Sequence, residues 1–301
     1  MELSRIGLGT VALGGMWGFI DEKSIVDTVV KSLDNGINWI DTSPIYGDGY
    51  AESIIGKISQ KRRAELFIAT KCGLFISKDG VVKRDLTPAS IFKEIDISLK
   101  NLNFSEIDLY QCHWPDFKTY IEETWEAMAW LVKQGKVKHI GVCNFNLKLL
   151  KRIYPIYPVY SIQLPYNMIQ KEIDKSLIEF CIAHNIKILG YSPLQSGILS
   201  GNFSLEKLSP KDKRLRFNHS DVNKYISCVK NAYPIAKKMG ISFAQLAITW
   251  VLQNKDLYST IVGVSSTSQV QENIMCLRSR SISDEDMKLI EKAFANSGST
   301  D

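Results

Sequence analysis

An acid, a phenol, a lysine and a histidine stand where apolar runs of this chain stop. Ile37-Asn38-Trp39-Ile40 gives way to Asp41, and Tyr46 follows five residues on, in IDTSPIYG. LFIAT leads into Lys71, and DLYQCHWPD carries His113. Taken singly they are ordinary: Asp41, Thr42, Ser43 and Pro44 suit a strand-end turn, Lys71 a surface lysine, His113 a satisfied polar residue. Taken together, their types serve one another. A phenol with a pKa near 10 neither gives nor takes a proton easily at neutral pH. An adjacent ammonium favours the phenolate, so Lys71 is expected to bring the Tyr46 pKa down. A carboxylate holds that ammonium and limits its desolvation cost, and a histidine can donate a hydrogen bond to a carbonyl oxygen. The set describes a proton-transfer site for a carbonyl or an alcohol, provided the fold brings the three run ends to one rim.

The elements that must do so are legible. Short apolar runs occupy 6–9, 37–40, 66–70, 107–112, 137–142, 159–164, 186–190 and 260–264, separated by polar turns and stretches of helical period. Ile25, Val26, Val29, Val30 and Leu33 share a helix face that Asn35-Gly36 ends. Thr87-Pro88 supplies a cap and a first-turn proline ahead of Ile91, Ile95, Leu99 and Leu102. A helix over 122–134 stops at Gly135, and another over 171–184 fills the gap before the seventh run. Apolar strands alternating with helices imply parallel strands buried on both faces. Eight such units in 301 residues predict an α/β fold, a (β/α)8 TIM barrel rather than an open doubly wound sheet. A long insert over 192–255 follows the seventh strand; it holds the loop GNFSLEKLSPKDKRLRF and two extra helices. No linker, low-complexity tract or solenoid repeat divides the chain, so 1–301 is expected to be a single domain.

In such a barrel chemistry sits at the C-terminal strand ends. Those ends add Cys143-Asn144 at the fifth strand, Gln163 at the sixth, Tyr191-Ser192-Pro193 at the seventh and GVSSTSQVQEN after the eighth. Composition limits the rest. With 45% apolar and 23% charged residues and a net charge of +5, the chain reads as soluble and globular, without the basic stripe of a nucleic-acid binder. Its six cysteines show no CxxC and no metal spacing, which predicts no metal site, no disulfide framework and a reducing compartment. Neither a signal peptide nor a membrane-length apolar run is present, so a cytoplasmic location is expected. Gly7-Leu8-Gly9-Thr10-Val11-Ala12 fits a dinucleotide fingerprint. That motif needs a helix behind it, and LGGMWGF makes a poor one.

Over nearly its whole length the chain resembles the aldo-keto reductase family. IDTSPIYGDGYAESIIG is similar to the family's DTA-x-x-YG-x-x-E-x-x-G signature, HWPD and GKVKHIGVCNF to its later blocks, and GYSPLQSGILSG and QVQEN to its cofactor-binding segments. The resemblance implies a catalytic tetrad of Asp41, Tyr46, Lys71 and His113, working with NADPH or sometimes NADH on a barrel rather than a Rossmann fold. It implies that Cys143, Asn144 and Gln163 meet the carboxamide and that Tyr191 stacks on the nicotinamide. Ser192, Leu194 and Gly197 would line the pyrophosphate, and Ser265, Gln269 and Asn273 would hold the adenosine end. Trp17, Phe19 and Trp114, with Tyr46, are the expected substrate walls, to which Phe75 and Ile76 would add.

Three departures from the family pattern stand out. Cys143 replaces a frequent serine, and a thiol is a weak donor. GVSSTSQVQEN lacks the basic residue that pairs with a 2′-phosphate in the family, which moves any NADP preference to Lys211, Lys213, Arg214 or Arg216 in the long loop, the alternative for those four being an ordinary solvated charge run. No leading hairpin precedes the first strand, so something else must cover the barrel bottom. The expected function is NAD(P)H-dependent reduction of a small-molecule aldehyde or ketone, or oxidation of a sugar hydroxyl; the alternative is a nucleotide-sensing accessory subunit with little turnover.

Overall fold

The computed structural model describes residues 1–210, 212–278 and 280–295. Its strands are β1 (Ile6–Gly9), β2 (Trp39–Asp41), β3 (Phe67–Cys72), β4 (Leu74–Ile76), β5 (Val82–Arg84), β6 (Ile107–Cys112), β7 (Val137–Cys143), β8 (Ser161–Pro165), β9 (Lys187–Tyr191) and β10 (Ser259–Gly263). Eight of them close a parallel barrel in the order β1-β2-β3-β6-β7-β8-β9-β10, and β10 pairs back to β1 through Ile6↔Thr260 and Gly9↔Gly263. All eight expected runs are barrel strands. β4 and β5 were not foreseen; they form an antiparallel hairpin beyond β3, turning at Gly80 with φ +78°, where Asp79-Gly80 between two apolar pairs was the available signal.

The helices are α1 (Glu22–Asp34), α2 (Tyr50–Ser59), α3 (Pro88–Leu102), α4 (Ile121–Lys133), α5 (Leu147–Ile153), α6 (Lys175–Ala183), α7 (His219–Met239), α8 (Phe243–Leu252), α9 (Thr267–Met275) and α10 (Asp284–Ala293). The Thr87 side chain caps α3 by accepting from Ser90 N, and Ile91, Ile95 and Leu102 are buried beneath it. In α1 the buried face is rotated from the expected one: Val30 is exposed, while Thr28 and Ser32 are buried. Their hydroxyls donate to Ser24 O and Thr28 O, which satisfies them inside the helix. α6 starts four residues later than expected, because Asp174 accepts from Ser176 N and sets the cap there. The long insert carries α7 and α8 as expected, and short 3₁₀ turns occupy 195–200, 205–207 and 213–216. Among the described residues no helix is long and apolar enough to cross a membrane.

Side chains alternate along each strand. Outward-facing residues such as Ile40, Ile68, Tyr110 and Ile162 join the large core under the helices. Trp39, Phe67, Ala69, Leu109, Leu189 and Ile261 form a separate core with Leu3. This second core is the barrel floor. Trp39 lies so close over Gly7 that a Cβ there would sit 2.1 Å from Trp39 Cε2. The indole N–H donates to Ser4 O at 3.1 Å and Ser259 Oγ at 3.2 Å. Phe67, His139 and Tyr160 stack beside it, and Lys187 Nζ sits 4.1 Å from the centre of the Tyr160 ring. Strand residues, with Leu3 ahead of β1 and Tyr160 ahead of β8, therefore cover the bottom.

Candidate active site

The alternation that points Trp39 and Phe67 into the floor points Asp41 and Lys71 into the opposite end. Asp41 closes β2, Lys71 is one residue short of the end of β3, His113 follows β6, and Tyr46 lies in the turn between β2 and α2. Lys71 Nζ donates to Asp41 Oδ1 at 2.5 Å and to Thr42 O at 3.0 Å, and lies 3.3 Å from Tyr46 Oη. The Tyr46 and His113 rings meet edge to face, 6.0 Å between centres. The four groups named from sequence are thus brought together at one rim.

Burial sets their protonation. It disfavours the Lys71 ammonium, but the charges of Asp41 and then Tyr46 more than offset this, and the lysine is held above its ordinary value. The expectation for Tyr46 is corrected. Burial pushes its phenol above 10; Lys71 pulls it down, but Asp41 pushes it back up. Desolvation wins because the lysine charge is already compensated by Asp41. His113 is pushed well below its usual value by burial and by Lys71, so it is neutral. Ser43 Oγ lies 3.3 Å from its Nδ1; with the hydroxyl donating, the ring keeps its proton on Nε2. The buried Cys143 thiol is likewise pushed well above its usual value, chiefly by burial.

A cavity of about 1400 Å³ runs from this rim to the start of α9, more than the ~300–1,000 Å³ of an ordinary small-molecule site. Cys143, Asn144, Gln163, Tyr191, Ser192, Leu194, Gly197, Ser265, Gln269 and Asn273 all line it. Asn144 is already engaged, donating from Nδ2 to His113 O at 3.2 Å and accepting from Tyr191 Oη at 2.8 Å. Gln163 Nε2 is turned inward, 2.6 Å from Asp41 Oδ2. The turn after β9 holds Ser192, Gln195 and Ser196 at φ +56°, +43° and +54°, conformations that persist only where the surroundings impose them. Asn167, missed in the sequence, imposes part of this by donating to Ser192 O at 3.0 Å and Gln195 Oε1 at 3.1 Å. At the far end Gln269 Oε1 accepts from Ser265 N at 2.8 Å, and Ser266 caps α9. Cavity volume and lining together fit a dinucleotide between the rim and α9.

The loop cations do not share one place. Lys211 lies outside the described residues. Lys213 and Arg216 are absent from the cavity wall. Arg214 does line it, but its charge is taken by Asp212, with Nη2 2.7 Å and Nε 3.0 Å from the carboxylate oxygens. Its guanidinium also donates to Ser196 O at 3.1 Å and stacks between Trp17 and Phe203. Arg214 thus stands on the cavity wall, paired with Asp212 and tied to Ser196, Trp17 and Phe203. Trp17, Phe19 and Trp114 line the cavity as well, Phe19 standing almost wholly exposed at its lip. Phe75 and Ile76 do not; they lie exposed on the β4–β5 hairpin. Ser43 and Gln111 also escaped the sequence reading, although a glutamine inside the apolar run DLYQC was a visible signal.

A (β/α)8 barrel with this rim and this cavity defines an NAD(P)-dependent oxidoreductase. The sequence model of the Aldo/keto reductase family matches residues 5–295, and the chain belongs to that family. It is 35% identical to "Aldo-keto reductase YhdN" of Bacillus subtilis over 98% of this chain and 91% of the relative. It is 30% identical to the "NADH-specific methylglyoxal reductase" of Escherichia coli over 97% of this chain and 95% of the relative. The structure of the glycerol dehydrogenase AKR11B4 from Gluconobacter oxydans superposes with a TM-score of 0.87 at 34% identity, covering 99% of this chain and 94% of that one.

Proposed function

We propose that the protein reduces a small aldehyde or ketone to its alcohol, with Tyr46 as proton donor and NADH as the preferred dinucleotide, and that the same groups run the reverse oxidation. The observation that carries this reading is the Tyr46 hydroxyl 3.3 Å from a Lys71 ammonium that Asp41 locks in place. When bound, the dinucleotide supplies or accepts hydride at C4 of its nicotinamide. The chain does the rest. The His113 Nε2–H orients the carbonyl oxygen beside the phenol, Tyr46 passes its proton to that oxygen, and Lys71 stabilises the phenolate left behind. Trp17 and Trp114 shape a wall suited to apolar or sugar-ring faces. Tyr191 offers a ring face to the nicotinamide, and Asn144 acts through it by holding its hydroxyl. Ser192, Leu194 and Gly197 receive the pyrophosphate; Ser265, Gln269 and Asn273 receive the adenosine.

Charge favours NADH. The acids Asp21, Asp27 and Glu272 line the cavity, whereas Arg214 is neutralised by Asp212 and Lys207 is exposed. Apart from Lys71, which Asp41 holds, the exposed Lys207 is the one unpaired cation among the described lining residues that a dianionic 2′-phosphate could meet.

Fluorescence titration with NADH and NADPH, followed by turnover of aldehydes, ketones and sugars, tests the reading. NADH is expected to bind more tightly; tighter NADPH binding would refute the cofactor assignment. Tyr46→Phe should keep cofactor affinity and lose ~10²–10⁴ in kcat, the usual worth of a positioned acid. Because the phenol is held above 10, reduction should stay flat through neutral pH and fall only when the phenol ionises, while alcohol oxidation should rise with pH over that same range. A Phe variant with unchanged kcat would remove Tyr46 from the mechanism. NADH binding without turnover of any carbonyl or alcohol would favour the nucleotide-sensing subunit.

A further inference from the structure

Below the rim, three inward-facing side chains from β2, β6 and β8 close a triangle. Asp41 Oδ2 accepts from Gln163 Nε2 at 2.6 Å and, at a longer 3.4 Å, from Gln111 Nε2. Gln111 Oε1 accepts the second N–H of Gln163 at 3.0 Å. Gln111 is wholly buried and does not touch the cavity, whereas Gln163 lines it. Both hydrogens of the Gln163 amide are therefore consumed inside the barrel. Flipping that amide would bring its oxygen against the Asp41 carboxylate and Gln111 Oε1, three acceptors with no proton among them. The amide is held one way round, and its Oε1 is the end left without a partner among the described residues.

We infer that Gln111 is a positioning residue: it fixes the Gln163 amide so that the cavity presents an acceptor to a primary carboxamide, and it braces the Asp41 oxygen that does not face Lys71. The inference rests on the proposed dinucleotide reading and adds to it a residue that touches neither cofactor nor substrate. Gln111 joins two tasks through one carboxylate. Asp41 Oδ1 serves the Lys71–Tyr46 pair and Oδ2 serves Gln163, so both depend on its rotation. The titratable groups acting on the Tyr46 phenol are Lys71 from β3, Asp41 from β2 and Cys143 from β7, with the neutral His113 ring beside it; Gln111 reaches it only through Asp41.

The test compares wild type with Gln111→Leu, which removes both hydrogen-bonding ends, and Gln111→Glu, which keeps an acceptor for Gln163 but sets a second carboxyl beside Asp41. Binding of NADH and of reduced 3-acetylpyridine adenine dinucleotide, whose acetyl group lacks the carboxamide N–H, is read by quenching of protein fluorescence. Wild type should prefer NADH by ~10-fold, about one hydrogen bond, and Gln111→Leu should reduce that preference to ~2–3-fold. Gln111→Glu should keep the preference but move the alkaline limb of alcohol oxidation to higher pH, because added negative charge holds the phenol's proton more tightly. A bracing role without orientation would lower Tm in both variants and leave ratio and limb unmoved, which overturns the inference. Equal wild-type affinity for the two dinucleotides overturns it as well, and leaves the function standing. A wild type that binds neither removes the dinucleotide reading and this inference together. Should Gln111→Leu not fold, the wild-type ratio and the Gln111→Glu limb still decide.

Discussion

Lys71 and Asp41 are only 2% and 4% exposed, so each charge relies on the other rather than on water. Removing one partner of such a pair leaves an uncompensated buried ion, which costs ~3–5 kcal/mol. Lys71→Met should accordingly lose stability by that amount as well as activity, since Asp41 keeps only the glutamine donors. Lys71→Met combined with Asp41→Asn should regain most of the stability and stay inactive. Denaturant midpoints of the single and double variants check this; a single variant as stable as wild type would mean that the ion pair is not desolvated as described. The Tyr46 phenol obeys the same physics with the opposite sign, being neutral and content to lose water. Its proximity to Lys71 therefore stabilises the phenolate as it forms without creating one beforehand.

At the scale of elements, α3 governs the exit of β3. Both carboxylate oxygens of Glu94 accept from Gly73 N, at 3.2 and 3.0 Å, two residues beyond Lys71. Gly73 has φ +85°, and a Cβ there would lie 2.3 Å from Leu86 Cδ2, so the turn admits only glycine. Burial pushes the Glu94 carboxyl up to about 7, against the pull of Gly73 N–H and Ser90. Its folded value lies above its unfolded one, so between ~4.3 and 7 the unfolded chain releases a proton that the folded chain retains, and stability falls as pH rises through that window. Glu94→Gln keeps an acceptor for Gly73 N without the charge. It should match wild type near pH 5 and exceed it by ~2–3 kcal/mol at pH 8, read from urea midpoints at the two values. A wild-type stability that does not change from pH 5 to pH 8 would contradict the buried carboxylate.

At the scale of the whole molecule, the barrel is divided along its axis into an apolar floor and a polar rim. Trp39 is wholly buried in that floor. Trp39→Ala should cost ~3–5 kcal/mol by opening a cavity while leaving kcat intact, because the chemistry lies at the opposite end of the strands. A loss of kcat at temperatures where the variant is folded would show that floor and rim are coupled. The amino-acid sequence by itself determined the eight strands, their parallel closure and the residues at their ends. An apolar run that stops at a polar side chain is a local pattern, and burial on both faces leaves no other reading for such runs. Boundaries were less determined: α6 depended on the Asp174 cap, and the buried face of α1 on which hydroxyls could turn back onto their own helix. Only the tertiary structure decided which partner each polar group takes. Asp41 and Gln163 are 122 residues apart and share a hydrogen bond because the barrel closes. Asp212 stands two residues from Arg214, but the aromatic faces that clamp the guanidinium come from Trp17 and Phe203 on other segments. Charge counted along the chain therefore left Arg214 one of four loop cations, and charge placed in space pairs it with Asp212 on the cavity wall. The Tyr46 phenol followed the same rule, since desolvation depends on every neighbour at once and no local pattern records it.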